Sequence, residues 1–180
     1  ITGGAPDGIA RRGLGRSFQI TNLLGELPAL ESAEVAVQSR SEVRSYNFWR
    51  STASYPEITE RARSVLDTVG LSDRHTTAAA DLSYGQQRML EIALVVAMDP
   101  SLILLDEPTS GLSAESTRAI VDVVDRVTAD RSAVVIEHDM DVVEQIADHV
   151  KVVHRGQVFA EGSLTSVRAD EAVQRIYLGE

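Results

Sequence analysis

In Leu102-Ile103-Leu104-Leu105-Asp106-Glu107-Pro108, four apolar residues run directly into two adjacent carboxylates. The apolar run has the length and composition of a strand buried on both faces. Open α/β sheets place their ligands at the carboxyl ends of such strands. Consecutive side chains leaving a strand point in different directions. One carboxylate can then serve a Mg2+ while its neighbour faces an attacking water. Asp106 is the expected metal ligand, acting through water because Mg2+ dehydrates reluctantly. Glu107 is the expected general base. An acidic strand end without a chemical role is the alternative.

A second candidate is Leu82-Ser83-Tyr84-Gly85-Gln86-Gln87-Arg88. A hydroxyl and a glycine open a helix there, and a helix N-terminus offers free N–H groups and a positive dipole end to an anion. Ser83 would add a hydroxyl, Gly85 would let phosphate approach the backbone, and Gln86 would present an N–H. The same heptad also reads as an ordinary helix cap. A third candidate is His138, in Val134-Val135-Ile136-Glu137-His138-Asp139, where a strand delivers an imidazole to the sheet edge that carries Asp106 and Glu107. It can contact a terminal phosphate and sense its loss, or it can be structural. The fourth is Gln19, after Arg16-Ser17-Phe18, a neutral amide able to ligate Mg2+. His75, His149 and His154 have no metal-ligand spacing.

These residues need a scaffold. Residues 1–20 are rich in glycine, with Arg11, Arg12 and Arg16, and read as a loop entering a short strand at 16–20. Weak helical patterning covers 29–37. Ile58, Ala62, Val65, Leu66 and Val69 form one face of a helix over 57–70, closed by Gly70. A helix over 85–98 follows Ser83 as its N-cap region and stops at Asp99-Pro100. Beyond it, apolar strands at 101–105 and 133–136 alternate with a helix over 114–128, and a helix over 140–147 follows. Strands at 150–153 and 158–161 flank Arg155-Gly156 as a hairpin, and a helix over 170–178 ends the chain. Buried strands alternating with helices argue for an α/β fold with a parallel sheet. The first half is richer in helix, so two lobes are expected. Tyr46, Phe48, Trp49 and Tyr55 suit either a partner-docking patch or the core of a helical lobe.

Composition narrows the classes. The chain has 180 residues and a formal charge of −10, without the basic footprint of a nucleic-acid binder. It has no cysteine, which excludes disulfides and thiolate metal sites. Its longest apolar stretches, 92–98 and 102–105, fall far short of the ~20 residues of a membrane span. No signal peptide is visible, and the start reads as a cut edge.

Together these motifs resemble the ATP-binding subunit of ABC transporters. Gln19 matches the family's Q-loop glutamine, Leu82 to Arg88 its signature, and Leu102 to Glu107 its Walker B strand with the catalytic glutamate. Ser110-Gly111-Leu112-Ser113 sits at the D-loop and His138 at the switch histidine. The resemblance runs from Arg16 to the C-terminus. The Gly-Arg-Ser-Phe-Gln string and the ending Ile176-Tyr177-Leu178-Gly179-Glu180 are similar to the subfamily that energises branched-chain amino acid uptake. It implies a P-loop NTPase-like ABC ATPase core with a parallel sheet, a helical subdomain over roughly 22–98, and one such domain over 1–180. It implies ATP and Mg2+ as cofactors, with Gln19 and Asp106 on the metal. Ser83, Gly85, Gln86 and His138 would lie on nucleotide, and Glu107 and His138 would act in catalysis. The implied partners are membrane permease subunits and a second ABC ATPase subunit, at the cytoplasmic face of the membrane, with no nucleic acid.

Two departures stand out. The family's D-loop ends in an acidic or amide residue, and Ser113 is neither. The phosphate loop, G-x-x-x-x-G-K-[ST], is not present: Gly3 and Gly8 have the glycine interval, but Ile9 and Ala10 follow. Gly8 and Gly13 have it too, followed by Leu14-Gly15, and the sole lysine, Lys151, belongs to a late strand. The expectation is that an N-terminal segment bearing that loop lies outside this sequence, and that the chain alone is inactive. A catalytically incomplete partner offering only its signature face is the alternative. An ABC ATPase of nucleic-acid repair or translation fits neither the acidic charge nor the absence of a coiled-coil insertion.

Overall fold

The computed structural model describes residues 3, 5–17, 23–40 and 55–178. They form two compact units, up to Glu137 and from His138 onward. The expected roles of Gln19, Tyr46, Phe48 and Trp49 fall on residues outside the described ones.

The first unit begins with helix α1, Pro6–Arg11, and strand β1, Leu14–Arg16. The expected glycine-rich loop is therefore partly helical, because Pro6 at the first helical turn is preorganised for it. The strand also starts earlier than the expected 16–20. Gly13 sets its entry at φ 90°, and Ser101 N–H and Leu102 N–H both donate to the Gly13 carbonyl. Gly15 is required by close approach, since a Cβ there would lie 2.6 Å from Val95 Cγ1.

Three helices follow. They are α2, Ala29–Arg40, α3, Pro56–Thr68, and α4, Tyr84–Ala97. Ala29, Ala33 and Val37 of α2 and Ile58, Ala62, Val65 and Leu66 of α3 are buried at helical spacing. Glu34, buried on α2, accepts a hydrogen bond from the Thr59 hydroxyl of α3. Gly70, at φ 83°, ends α3, and Leu71 N–H reaches back to the Leu66 carbonyl at 2.8 Å. A short 3-10 turn, Ala79–Asp81, leads into α4, whose Gln87 side chain donates to the Ala79 and Leu82 carbonyls.

Strand β2, Leu102–Asp106, helix α5, Ala114–Thr128, and strand β3, Ser132–Ile136, complete this unit. The strands form a parallel sheet in the order β1-β2-β3, with Leu14 beside Leu102 and Asp106 beside Ile136. Ile103 and Leu105 are fully buried, while Leu102, Leu104 and Asp106 on the other face are half-buried. The expectation of burial on both faces thus holds for one face only. β3 is an edge of the described sheet and leaves Val134 and Ile136 exposed. Helix α5 buries Ile120, Val121, Val123, Val124 and Val127 along one face.

The second unit holds helix α6, Met140–Ile146, strands β4, Val150–His154, and β5, Gln157–Gly162, and helices α7, Leu164–Arg168, and α8, Glu171–Leu178. Arg155 at φ 50° and Gly156 at φ 78° make the two-residue turn of the antiparallel β4–β5 hairpin. Lys151 lies on β4 and pairs with Glu161 at 3.2 Å. Among the described residues no helix is long and apolar enough to cross a membrane.

Candidate nucleotide site

The carboxylate pair sits where the sequence places it, at the carboxyl end of β2. Asp106 is the last residue of the strand, 23% exposed, with the Arg16 guanidinium 3.5 Å from its carboxylate. Glu107 is the first residue beyond it and adopts φ 47°. Left-handed backbone at a non-glycine residue costs on the order of 1–3 kcal/mol and persists only where its surroundings over-determine it. Those surroundings are visible. Glu107 N–H donates to the Ile136 carbonyl at the end of β3, at 2.9 Å, and Ser110 N–H donates back to the Glu107 carbonyl at 3.2 Å. Pro108 is buried between them.

Glu137 follows β3 and reaches the same turn. One of its carboxylate oxygens accepts from Thr109 N–H at 3.0 Å and from the Thr109 hydroxyl at 2.6 Å. Thr109 is buried. Neither residue was singled out from sequence, because a contact between residues 28 apart leaves no local pattern. His138 is the next residue in the chain and opens the second unit, where Asp139 caps α6 by accepting from Asp141 N–H and Val142 N–H.

The Ser83 heptad forms a capping box. Gln86 N–H donates to Ser83 Oγ at 3.3 Å, and Ser83 N–H donates to Gln86 Oε1 at 3.0 Å. The Gln86 N–H is therefore engaged within the chain. Tyr84 and Gly85 occupy the first turn, whose N–H groups helix geometry leaves without intrahelical partners. Gly85 also has a packing role. A Cβ there would lie 3.0 Å from Ser116 Oγ and 3.2 Å from Ser116 Cβ, so its missing side chain lets α4 and α5 close together. Approach of phosphate is not needed to account for it.

Tyr84 links this helix to the turn after β2. Its hydroxyl lies 3.5 Å from the Ser110 carbonyl, and its ring flanks Gly111, which sits at φ 75°. Arg88 holds the tyrosine in place, donating to its hydroxyl at 2.9 Å and to Glu91 at 2.9 Å, with its guanidinium carbon 5.3 Å from the ring centre. Burial pushes the Arg88 guanidinium down, but its hydrogen bonds to Glu91 and Tyr84 outweigh that and hold it above its ordinary value. The spacings from Tyr84 to Arg88 and from Arg88 to Glu91 are the local signal that would have found this network. Ser113 caps α5, accepting from Ser116 N–H at 3.3 Å.

The family model described as ABC transporter matches residues 7–110. The chain belongs to the ABC transporter family. It is 33% identical over 178 residues to the high-affinity branched-chain amino acid transport ATP-binding protein LivG of Escherichia coli (strain K12), covering 96% of this chain and 70% of LivG. It is 34% identical over 181 residues to the corresponding BraF of Pseudomonas aeruginosa, covering 96% of this chain and 70% of BraF. Its fold is that of ABC ATPase cassettes. The ADP conformation of MJ1267, an ATP-binding cassette of an ABC transporter, superposes with a TM-score of 0.80 at 29% identity, covering 100% of this chain and 74% of that one.

Within this ABC ATPase chain the structure brings Asp106, Glu107, Arg16, Thr109 and Glu137 to one end of the sheet. It sets Ser83, Gly85 and Gln86 at the start of α4. Among the described residues no group of three or more His, Cys, Asp and Glu side chains forms a metal cage. Asp106 alone at a strand end suits a Mg2+ completed by phosphate oxygens and water, which is how that ion is ordinarily held.

Proposed function

We propose that this chain is the greater part of an ATP-hydrolysing subunit that energises import of a small solute, a branched-chain amino acid, through membrane permease subunits at the cytoplasmic face of the membrane. Identity of about one third to LivG and BraF, spread over nearly the whole chain, supports the substrate class. The helical segment over roughly 22–98 forms a subdomain of a single ABC ATPase domain.

Glu107 acts on the water. Its left-handed backbone, fixed by Ile136 and Ser110, turns the carboxylate out of the β2 alternation. From there it orients and deprotonates a water for attack on the γ-phosphate. Asp106, with Gln19, would hold a Mg2+, which supplies positive charge against the charge that builds on the transferred phosphoryl group. Arg16 holds the Asp106 carboxylate in place through their 3.5 Å contact in the meantime. His138 contacts the γ-phosphate. Ser83 and the first N–H groups of α4 serve the nucleotide of a second subunit, so that two chains clamp two ATP molecules.

The observation that carries this reading is the over-determined left-handed turn at Glu107, held at the end of a buried strand. Its test is Glu107→Gln in a form of the chain extended at its N-terminus to include the phosphate loop. ATP binding is expected to persist while turnover falls by about 10²–10⁴, the usual cost of losing a general base. Turnover within a few-fold of the parent would exclude Glu107 as the base.

A further inference from the structure

We propose that Glu137 is a positioning residue for Glu107, gripping the turn that carries it through Thr109. This rests on the reading of Glu107 as the base. The end of β3 holds that turn at two successive residues. The Ile136 carbonyl takes the Glu107 N–H at 2.9 Å, and the Glu137 carboxylate takes both donors of Thr109, at 3.0 and 2.6 Å. Between those grips lies only Pro108, whose ring fixes its own φ. The turn is closed by Ser110 N–H on the Glu107 carbonyl at 3.2 Å.

The chemistry suits a clamp. Hydrogen bonds to an ionised carboxylate are shorter and stronger than neutral ones. Both of them reach one oxygen from a buried residue, so Thr109 has one place to sit. Glu107 itself is in a conformation that its own backbone disfavours. Releasing Thr109 removes one of the restraints that keep it there. Because a catalytic group displaced by about 1 Å can lose on the order of 10²-fold in rate, a residue that never touches the water can still set turnover.

The oxygen of a neutral amide would serve this role as an acceptor, which separates it from a proton-transfer role. In the N-terminally extended protein, Glu137→Ala is expected to lower kcat for ATP by about 10- to 100-fold with KM changed by less than about twofold. Glu137→Gln keeps an acceptor oxygen for Thr109 and is expected to recover kcat to within about threefold of the parent. On the 180-residue chain itself, hydrogen exchange at the Thr109 amide should quicken in Glu137→Ala and return in Glu137→Gln. An unchanged kcat in folded Glu137→Ala overturns the proposal. So does a Glu137→Gln enzyme as slow as Glu137→Ala, which would make the carboxylate a proton carrier. If Glu137→Ala does not fold, Thr109→Val replaces it, removing only the 2.6 Å hydroxyl bond. There a kcat equal to the parent's overturns the proposal, and a several-fold loss restored by Thr109→Ser supports it. Glu107→Gln is assayed alongside. If it too leaves turnover intact, the function assigned to Glu107 is what has failed.

Discussion

Gly85→Ala tests whether glycine at this position is demanded by packing. Gly85 occupies the first turn of α4 with ordinary helical backbone, so alanine is not strained there. Helix propensity alone favours the substitution by at most about 1 kcal/mol. Against that, the new methyl would stand 3.0 Å from Ser116 Oγ and 3.2 Å from Ser116 Cβ, with Leu112 Cδ2 at 4.0 Å. Ser116 Oγ can rotate away, but its Cβ moves only with α5. Overpacking of this kind costs about 1–3 kcal/mol, so Gly85→Ala should destabilise the first unit by a net of about 1 kcal/mol. That net value combines two opposing effects, and a double-mutant cycle with Ser116→Gly separates them. Ser116→Gly deletes both clashing atoms yet leaves its N–H to be capped by Ser113. In that background Gly85→Ala should stabilise, giving a coupling energy of about 1–3 kcal/mol. Urea unfolding of the four proteins, followed by circular dichroism, measures it. Additivity within about 0.3 kcal/mol would refute the packing account of Gly85 and return the position to a ligand-based explanation.

Other expectations follow from the same geometry. The 180-residue chain should not bind ATP with micromolar affinity, because its sequence contains no G-x-x-x-x-G-K-[ST]; saturable binding of a fluorescent ATP analogue, displaced by ATP, would contradict this. In the extended protein, Ser83→Arg should leave binding of ATP to the monomer nearly intact and abolish ATP-driven dimers in a Glu107→Gln background, as read by light scattering. The same substitution loses the capping bond to Gln86 and should cost about 0.5–2 kcal/mol of stability; dimers as abundant as in Glu107→Gln alone would remove Ser83 from the trans site. The Glu161 carboxyl is held below its ordinary range by hydrogen bonds from His149 and Lys151. Its contribution to stability is therefore present above the ordinary glutamate value and is lost as pH falls through the lowered one. An NMR titration should show that midpoint rising in His149→Ala, and no change there would refute the His149 contribution.

What the sequence revealed, and what it hid, divides by the range of the forces. The α5 stripe, the Gly70 stop, the Arg155-Gly156 turn and the β2 run are local patterns, and each appears where its residues indicate. The short elements were hidden. α1 has six residues and α7 five, too few to show a helical period, and only Pro6 and the Ser163 cap announce them. The start of β1 was misplaced because its position is set by Gly13 pairing with residues far along the chain. At the site, residue types and order were legible, but the left-handed Glu107 and its attachment to Glu137 were not. Nothing in Asp-Glu-Pro-Thr specifies which carboxylate, from another strand, will receive Thr109.

Ser113 shows how a departure from a family pattern can be conservative in physical terms. Aspartate, asparagine and serine are nearly equal as N-caps, because each offers a side-chain oxygen to an orphan N–H of the first turn. Ser113 does this for Ser116 N–H at 3.3 Å, and its hydroxyl also reaches Ser116 Oγ at 3.2 Å. The start of α5 is thus fixed without an acidic or amide residue. That start is also the surface against which Gly85 packs, since the methyl forbidden at Gly85 collides with Ser116. Tyr84, beside Gly85, lies against Ser110 and Gly111 of the same loop. One short segment, from Ser110 to Ser116, therefore carries the capped start of α5 and the seat of the α4 N-terminus. Its first residue closes the turn that holds Glu107. A displacement of the α4 N-terminus would reach the Glu107 turn through this segment, over bonded and touching atoms at every step.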